Sequence, residues 1–223
     1  MFENIKSEST RRLIEVRETI KYIRISENRK RVHPPNIAIT SMKGLFFVQL
    51  YGIYEYTLSS CISTTLQIIS NENIKISQFR PRFLSIALNN DIVSLTMIGN
   101  EKKWERRWKF FDLFDQDNII NFPNDLIPTD GKNIRYKQLE SIWNSFSIQE
   151  PILPRPEIGG RIQELVDLRN AIAHGNESPS EIGKRFTPDD LQKRFEDINE
   201  FCTYCIMVFQ NYIENKHYLK PAT

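Results

Sequence analysis

Long stretches without glycine or proline set the strongest limit on what this chain can fold into. Glycine occurs 8 times in 223 residues, whereas sandwiches and barrels need turn residues at short intervals. Within the long stretches, apolar side chains recur at steps of three and four residues, which is the spacing of one face of an α-helix. The sequence therefore predicts an all-α fold.

Four long segments carry this helical pattern, two early and two late in the chain. They cover about residues 8–28, 37–70, 161–174 and 188–215. A shorter helix is expected at residues 136–146, before the third long one. Thr187 and Pro188 are typical of a helix start, and Gly175 of a helix end. This arrangement predicts a four-helix bundle.

The middle third of the chain, residues 71–133, is the least regular part. We expect a variable insertion there, between the early and late helix pairs of one domain that spans residues 1–223. Residues 92–98 fit either a strand or a short helix, because a short apolar run does not distinguish the two.

One part of this insertion, residues 102–111, has the sequence KKWERRWKFF. Basic residues interleaved with aromatic ones can grip phosphates and stack bases, which makes Arg106, Arg107 and Lys109 candidates for RNA binding. The same pattern also describes an amphipathic helix whose Trp and Phe side chains lie in the core. The sequence interpretation favours the core.

Composition and cysteine usage limit which binding partners, cellular compartment and metal sites can be expected. The net charge of +2 does not indicate nucleic-acid binding by itself and does not exclude a local basic patch. Three sparse cysteines and no leader-like segment are typical of a cytoplasmic protein. Cys202 and Cys205 would need a second ligand pair to hold zinc, and none is nearby, so we expect core packing. No metal and no cofactor is predicted.

The longest apolar run, residues 45–69, includes Gln49, Glu55 and Gln67. A membrane span has few polar groups over about 20 residues, so the run is interpreted as a core helix of a protein without a membrane segment.

The segment whose side chains could carry out a reaction is Leu168-Arg169-Asn170-Ala171-Ile172-Ala173-His174-Gly175. An Arg and a His at this spacing are weak evidence alone, since chance gives roughly 0.2 such pairs in a chain of this composition. The context strengthens it, because a polar Asn follows the Arg and the His ends its helix before a Gly. Alternatively, His174 caps the helix and Arg169 pairs with Glu164 or Asp167.

Helix geometry restricts how the motif can work. At about 100° per residue, Asn170 and His174 lie about 40° apart on one face, whereas Arg169 lies about 140° from His174. One helix does not easily aim both side chains at one point. A two-fold pairing of this helix with a second copy would gather two Arg and two His in one cleft.

With this motif the chain resembles the HEPN superfamily, whose motif is Arg, a polar residue that is often Asn, three further residues and His. The closer resemblance is to the MAE-like HEPN proteins. They have a long apolar helix with a central Glu, as at Glu55, and a stretch similar to Asn133-Ile134-Arg135-Tyr136 through Ile142-Trp143 before the motif helix. The resemblance covers about residues 40–70 and 130–215.

The resemblance implies a single HEPN domain, a four-helix bundle that dimerises and cleaves RNA without a metal. By its motif, Arg169 and His174 take the catalytic positions and Asn170 supports them. Glu55 either positions the site residues without contacting RNA or has a structural role. Attack by the RNA 2′-hydroxyl would leave a 2′,3′-cyclic phosphate. The resemblance also implies that the protein acts as a toxin or phage-defence effector. The alternative is a non-catalytic HEPN module that binds RNA, nucleotide or a partner such as an antitoxin.

Some HEPN toxins carry a Tyr two residues after the His and are silenced by modification there. The residue at that position is Asn176 in this chain. The resemblance therefore does not extend to this route of silencing.

Overall fold

The all-α prediction is confirmed by the computed structural model, which describes residues 2–28, 36–97, 102–123, 126–129 and 133–221. Within these ranges there are nine α-helices, one 3₁₀ turn and two isolated β-bridges, without a β-strand. The helices are α1 (Phe2–Asn28), α2 (Ile37–Ser70), α3 (Leu84–Ala87), α4 (Asn89–Met97), α5 (Lys103–Asp115), α6 (Tyr136–Phe146), α7 (Glu157–Ala173), α8 (Pro179–Gly183) and α9 (Pro188–Glu214).

The four long helices α1, α2, α7 and α9 correspond to the four predicted segments. Helix α1 begins at Phe2 rather than near residue 8, because Phe2 and Ile5 are buried and extend its apolar stripe. Helix α7 begins at Glu157 rather than near residue 161, and it includes Gly159 and Gly160.

The chain divides into two compact units. Unit 1 consists of Met1–Cys61, Asn133–Lys137 and Pro151–Met207, and unit 2 consists of Ile62–Lys132, Gln138–Glu150 and Val208–Thr223. The motif on α7 belongs to unit 1, whereas α3, α4 and α5 belong to unit 2. The interpretation of residues 1–223 as one domain remains a prediction.

The core of unit 1 includes the apolar face of α9. Six residues of this face that belong to unit 1 are buried: Leu191, Phe195, Ile198, Phe201, Cys202 and Cys205. The ring of Phe201 packs against Tyr54 of α2 at a centroid distance of 5.3 Å. Helix α9 begins as predicted, with Thr187 Oγ1 accepting the N–H of Asp190 at 3.1 Å.

Helices α2 and α8 approach each other closely in unit 1, with glycine on both sides of the contact. A Cβ at Gly44 would stand 2.0 Å from the carbonyl oxygen of Pro179, and one at Gly183 would stand 1.8 Å from the carbonyl oxygen of Thr40. Only residues without a side chain fit there. This contact fixes the segment that follows the motif helix.

Unit 2 is centred on aromatic side chains from separate segments of the chain. Phe83 is fully buried, and its ring centroid lies 4.7–6.3 Å from those of five others, namely Phe79, Phe122, Phe146, Tyr212 and Tyr218. Half of this cluster comes from the middle third. Non-local aromatic packing, rather than helical periodicity, therefore organises this part of the chain.

Helix α5 corrects the preferred sequence interpretation of residues 102–111. A helix forms there, but none of its residues is buried, and Trp104, Trp108 and Phe111 are 61%, 62% and 67% exposed. The expectation that these rings lie in the core was wrong. The neighbouring apolar run is the helix α4 rather than a strand, and residue 98 lies outside the described residues.

Helix α2 is long and apolar enough, by length and composition, to cross a membrane. Core helices of soluble proteins meet the same criterion, and 56% of its most apolar window is buried inside the protein. Within unit 1, Phe46, Leu50 and Leu58 of α2 are completely buried. These contacts are those of a core helix.

Candidate functional site

The motif lies at the C-terminal end of α7. His174 is the residue that ends the helix, and its backbone N–H donates to the carbonyl of Asn170 at 2.9 Å. Gly175 follows with φ of +71°, the left-handed conformation that the sequence predicted for a glycine at this position. The backbone of His174 thus caps the helix, as the alternative interpretation expected. Its side chain is exposed to solvent.

Arg169 does not point its charge at a carboxylate. Its Nη1 donates to Asn170 Oδ1 at 2.9 Å and lies 3.5 Å from Asn133 Oδ1. Asn133 Nδ2 also donates to Asn170 Oδ1, at 3.3 Å. The two amide side chains therefore hold the guanidinium through neutral oxygens, which position it without neutralising its charge.

The acids that the sequence offered as partners of Arg169 have other partners. Glu164 pairs with Arg194 at 2.8 Å, and Asp167 pairs with Arg135 at 2.7 Å. Within the described part of the chain, Arg169 makes no salt bridge. The interpretation of Arg169 as one half of a structural ion pair with Glu164 or Asp167 was wrong.

Tyr51 of α2 supports the guanidinium from the other side. The Cζ atom of Arg169 lies 4.7 Å from the centroid of the Tyr51 ring, within the range of a cation–π interaction. Tyr51 is 1% exposed, and burial together with the neighbouring Glu55 carboxylate raises the pKa of its phenol to about 12. The ring is therefore a neutral platform at physiological pH.

Glu55 reaches this group of residues through Tyr51. The Tyr51 hydroxyl lies 3.1 Å from Glu55 Oε1 and 3.2 Å from Asn133 Oδ1, so its single proton is shared between two acceptors. Glu55 is half-buried. The structure thus connects the central Glu of α2 to Arg169, but only by way of a tyrosine and an asparagine.

Asn133 is held in place by the residues that follow it. The carbonyl of buried Ile134 accepts a hydrogen bond from the Tyr54 hydroxyl at 3.1 Å. Arg135 pairs with Asp167 on α7. These two contacts fix the short segment 133–135 between α2 and α7, so that the Asn133 amide meets Arg169 and Asn170.

A comparison with family models decides the family. The model of the MAE_28990-like HEPN family matches residues 1–218. The chain belongs to this HEPN family. The chain matches no curated protein and no solved structure.

Two residues of this candidate site were missed by sequence reasoning, namely Tyr51 and Asn133. Tyr51 precedes Glu55 by four residues, so both lie on one face of α2, and this spacing was the available signal. Asn133 opens the stretch that carried part of the resemblance. Its side-chain contact with Arg169 spans 36 residues and depends on tertiary packing.

The C-terminal end of α7 is less buried than the rest of the helix. Leu165 lies in the core of the HEPN protein, but Leu168 and Ile172 are half-buried. The buried face of α7 is made instead by residues nearer its start, namely Ile158, Ile162, Leu165 and Val166. Apolar surface therefore remains accessible beside the motif.

The remaining candidates lie elsewhere. Arg106, Arg107 and Lys109 are on α5 in unit 2, where Lys109 pairs with Glu105 at 2.7 Å. Cys202 and Cys205 are buried within unit 1. Among the described residues, no group of three or more His, Cys, Asp or Glu side chains is arranged to hold a metal ion.

Proposed function

We propose that this HEPN protein is an endoribonuclease that works without a metal ion, as a toxin or phage-defence effector in the cytoplasm. The observation that carries the proposal is the state of Arg169. Its guanidinium is held by two amide oxygens and an aromatic ring, without a carboxylate partner among the described residues, on the helix that ends in the exposed His174.

Arg169 is suited to bind the scissile phosphate. A guanidinium donates two parallel N–H groups to phosphate oxygens, and it keeps its charge at every physiological pH. Because its contacts are neutral acceptors and a π face, a phosphate would be its first anionic partner. In the transition state an additional negative charge develops on the phosphate oxygens, and the guanidinium would stabilise it.

His174 is suited to transfer protons, since a neutral imidazole accepts a proton at one ring nitrogen and a protonated one donates it. In the proposed reaction the RNA 2′-oxygen forms a bond to the adjacent phosphorus while the bond from phosphorus to the 5′-oxygen breaks. One imidazole accepts the proton of the 2′-hydroxyl, and a protonated imidazole donates a proton to the leaving 5′-oxygen. The products are a 2′,3′-cyclic phosphate and a 5′-hydroxyl.

Two roles for imidazole favour a site made by two copies of the chain. Arg169 and His174 are about 140° apart around one helix, and half-buried Leu168 and Ile172 leave apolar surface beside them. We propose that a second α7 covers this surface in a homodimer and brings two Arg and two His together. Asn170 then positions Arg169, to which it is hydrogen-bonded.

The test is cleavage of end-labelled RNA by purified protein in the presence of EDTA. We expect cleavage by the wild type and a loss of about 10²- to 10⁴-fold on His174→Ala or Arg169→Ala. Two matched controls, His217→Ala and Arg24→Ala, should remain within about twofold of the wild type, since neither residue contacts the motif. Loss of activity in EDTA, or full activity of the motif variants, would contradict the proposal.

The alternative is a HEPN module that binds RNA, a nucleotide or a partner protein without cleaving. Stable RNA binding without cleavage, unaffected by His174→Ala, would favour it over the nuclease.

A further inference from the structure

The exposed side of α5 is a strip of large aromatic side chains. Trp104, Trp108 and Phe111 stand at helical positions i, i+4 and i+7, within about 60° of one another around the axis. Each is more than 60% exposed. We call these three residues the α5 aromatic face. The half-buried apolar side chains of α5, Phe110 and Leu113, lie on the other side of the helix.

This surface is unusual for a folded protein in water. Scattered exposed apolar residues are normal, but a contiguous aromatic strip marks a binding surface. Leu113 is the one aliphatic residue of α5, and it lies on the other side of the helix. A strip of π faces without aliphatic side chains suits flat ring partners.

The charge next to the strip is positive. Residues 102–109 hold five basic residues and one acid, a net charge of +4 in a chain whose total is +2. The acid, Glu105, pairs with Lys109. Lys103 and Arg106 are exposed and have no acidic partner among the described residues. The acids Asp112 and Asp115 occupy the other end of the helix, so the basic part is its first two turns.

Arg107 combines the positive charge with the aromatic surface. Its guanidinium carbon lies 4.9 Å from the centroid of the Trp104 ring, so it stacks on an aromatic face while its N–H groups remain available to anions. Together, stacked rings and unpaired cations match the two parts of a nucleotide, its base and its phosphate.

We propose that the α5 aromatic face binds single-stranded RNA, with bases stacked on Trp104 and Trp108 and phosphates bound by Lys103, Arg106 and Arg107. The proposal rests on the proposed function in taking RNA as the polymer that this protein acts on, and it adds a docking surface outside the motif. Trp104 and Trp108 are about 6 Å apart along the helix axis, which lets successive nucleotides reach one ring each. A duplex hides its base faces and would bind less well.

The experiment measures binding of a fluorescent oligouridylate by anisotropy, using His174→Ala protein throughout so that the probe stays intact. We expect Trp108→Ala to raise Kd about tenfold and Trp108→Phe to retain most of the affinity. Tyr22→Ala, which removes a ring that is 57% exposed on α1, is the matched control and should leave Kd unchanged. Because Trp108 is largely exposed, its replacement should not lower the melting temperature.

The salt dependence of RNA affinity distinguishes the contribution of base stacking from that of charge. The double variant Lys103→Gln, Arg106→Gln should reduce the slope of log affinity against log salt concentration by about 1.4, or about 0.7 for each charge removed. Trp108→Ala should leave that slope unchanged, since it removes no charge.

Three results would overturn the docking proposal. The first is an unchanged Kd in Trp108→Ala, and the second is equal affinity for duplex RNA of the same length. The third is a Trp108→Ala protein that loses self-association or binding to anionic lipid vesicles while it still binds oligouridylate. Failure of the nuclease proposal is distinguishable, because wild-type protein would then leave RNA intact while the Trp108 effect on binding persisted.

Discussion

Arg169 lies over the ring of Tyr51, with 4.7 Å between the guanidinium carbon and the ring centroid. The contact joins α7 to α2, and among the described residues Arg169 has no carboxylate that would neutralise its charge. A buried neutral ring holds an arginine in place and leaves its charge available, whereas a carboxylate would hold it and cancel its charge. This relationship is the reason for proposing that the motif binds an anion.

Two replacements of Tyr51 distinguish the contribution of its ring to RNA cleavage from that of its hydroxyl. We expect Tyr51→Phe to cleave RNA within about threefold of the wild-type rate, because the ring remains under Arg169. Tyr51→Leu should lose about threefold to thirtyfold, in line with a cation–π contribution of about 0.5–2 kcal/mol. Phe46→Leu removes another fully buried ring from the same helix and controls for core damage. Equal rates for the Phe and Leu variants at Tyr51 would show that the ring does not position Arg169.

Asn133→Asp should silence the site without unfolding it. The change places a carboxylate where Arg169 now meets an amide oxygen, and a charge-assisted pair would then compete with phosphate. We expect cleavage to fall at least about tenfold while the melting temperature stays the same or rises.

Asn144→Asp is the matched control for this variant. Asn144 Oδ1 accepts a hydrogen bond from Arg82 at 3.2 Å, so the same exchange occurs beside an arginine in unit 2. Its activity should equal that of the wild type. If both Asp variants lost activity equally, the effect would be one of overall charge and not of Arg169.

The glycine contact between α2 and α8 predicts opposite effects of one substitution at two positions of α2. Gly44→Ala brings a Cβ to 2.0 Å from the Pro179 carbonyl and should lower the free energy of unfolding by about 1–3 kcal/mol. Gly52→Ala has nothing within 4 Å of the new Cβ and should raise it by up to about 1 kcal/mol. Urea denaturation measures both. A Gly44→Ala protein as stable as the wild type would contradict the close approach.

The buried thiols predict slow chemical modification. Burial raises the pKa of Cys202 to about 12 and that of Cys205 well above its usual range, so both stay protonated near neutral pH. Because the thiolate is the reactive form, we expect alkylation by iodoacetamide at pH 8 to be slow in the native protein and complete in urea. Rapid labelling of native protein at either residue, detected by mass spectrometry, would contradict the core assignment.

The sequence alone determined the helical class, the bounds of α2 and α6, and the C-terminal end of the motif helix. These features depend on local rules, because apolar spacing sets the buried face and a glycine after the last turn can take a positive φ. Gly175 and the start of α9 at Thr187 and Pro188 were predictable for that reason. The family was recognised from a short motif and its helical context, and the match to residues 1–218 confirmed it.

Tertiary structure decided what surrounds the motif. Local spacing offered Glu164 and Asp167 to Arg169, but packing gave those acids to Arg194 and Arg135 and placed Asn133 and Tyr51 beside the guanidinium. It also decided that the rings of α5 are exposed, whereas the sequence interpretation favoured the core. The physical reason is common to both: spacing along a chain fixes which side chains share a face, and only the packing of distant segments fixes what that face meets.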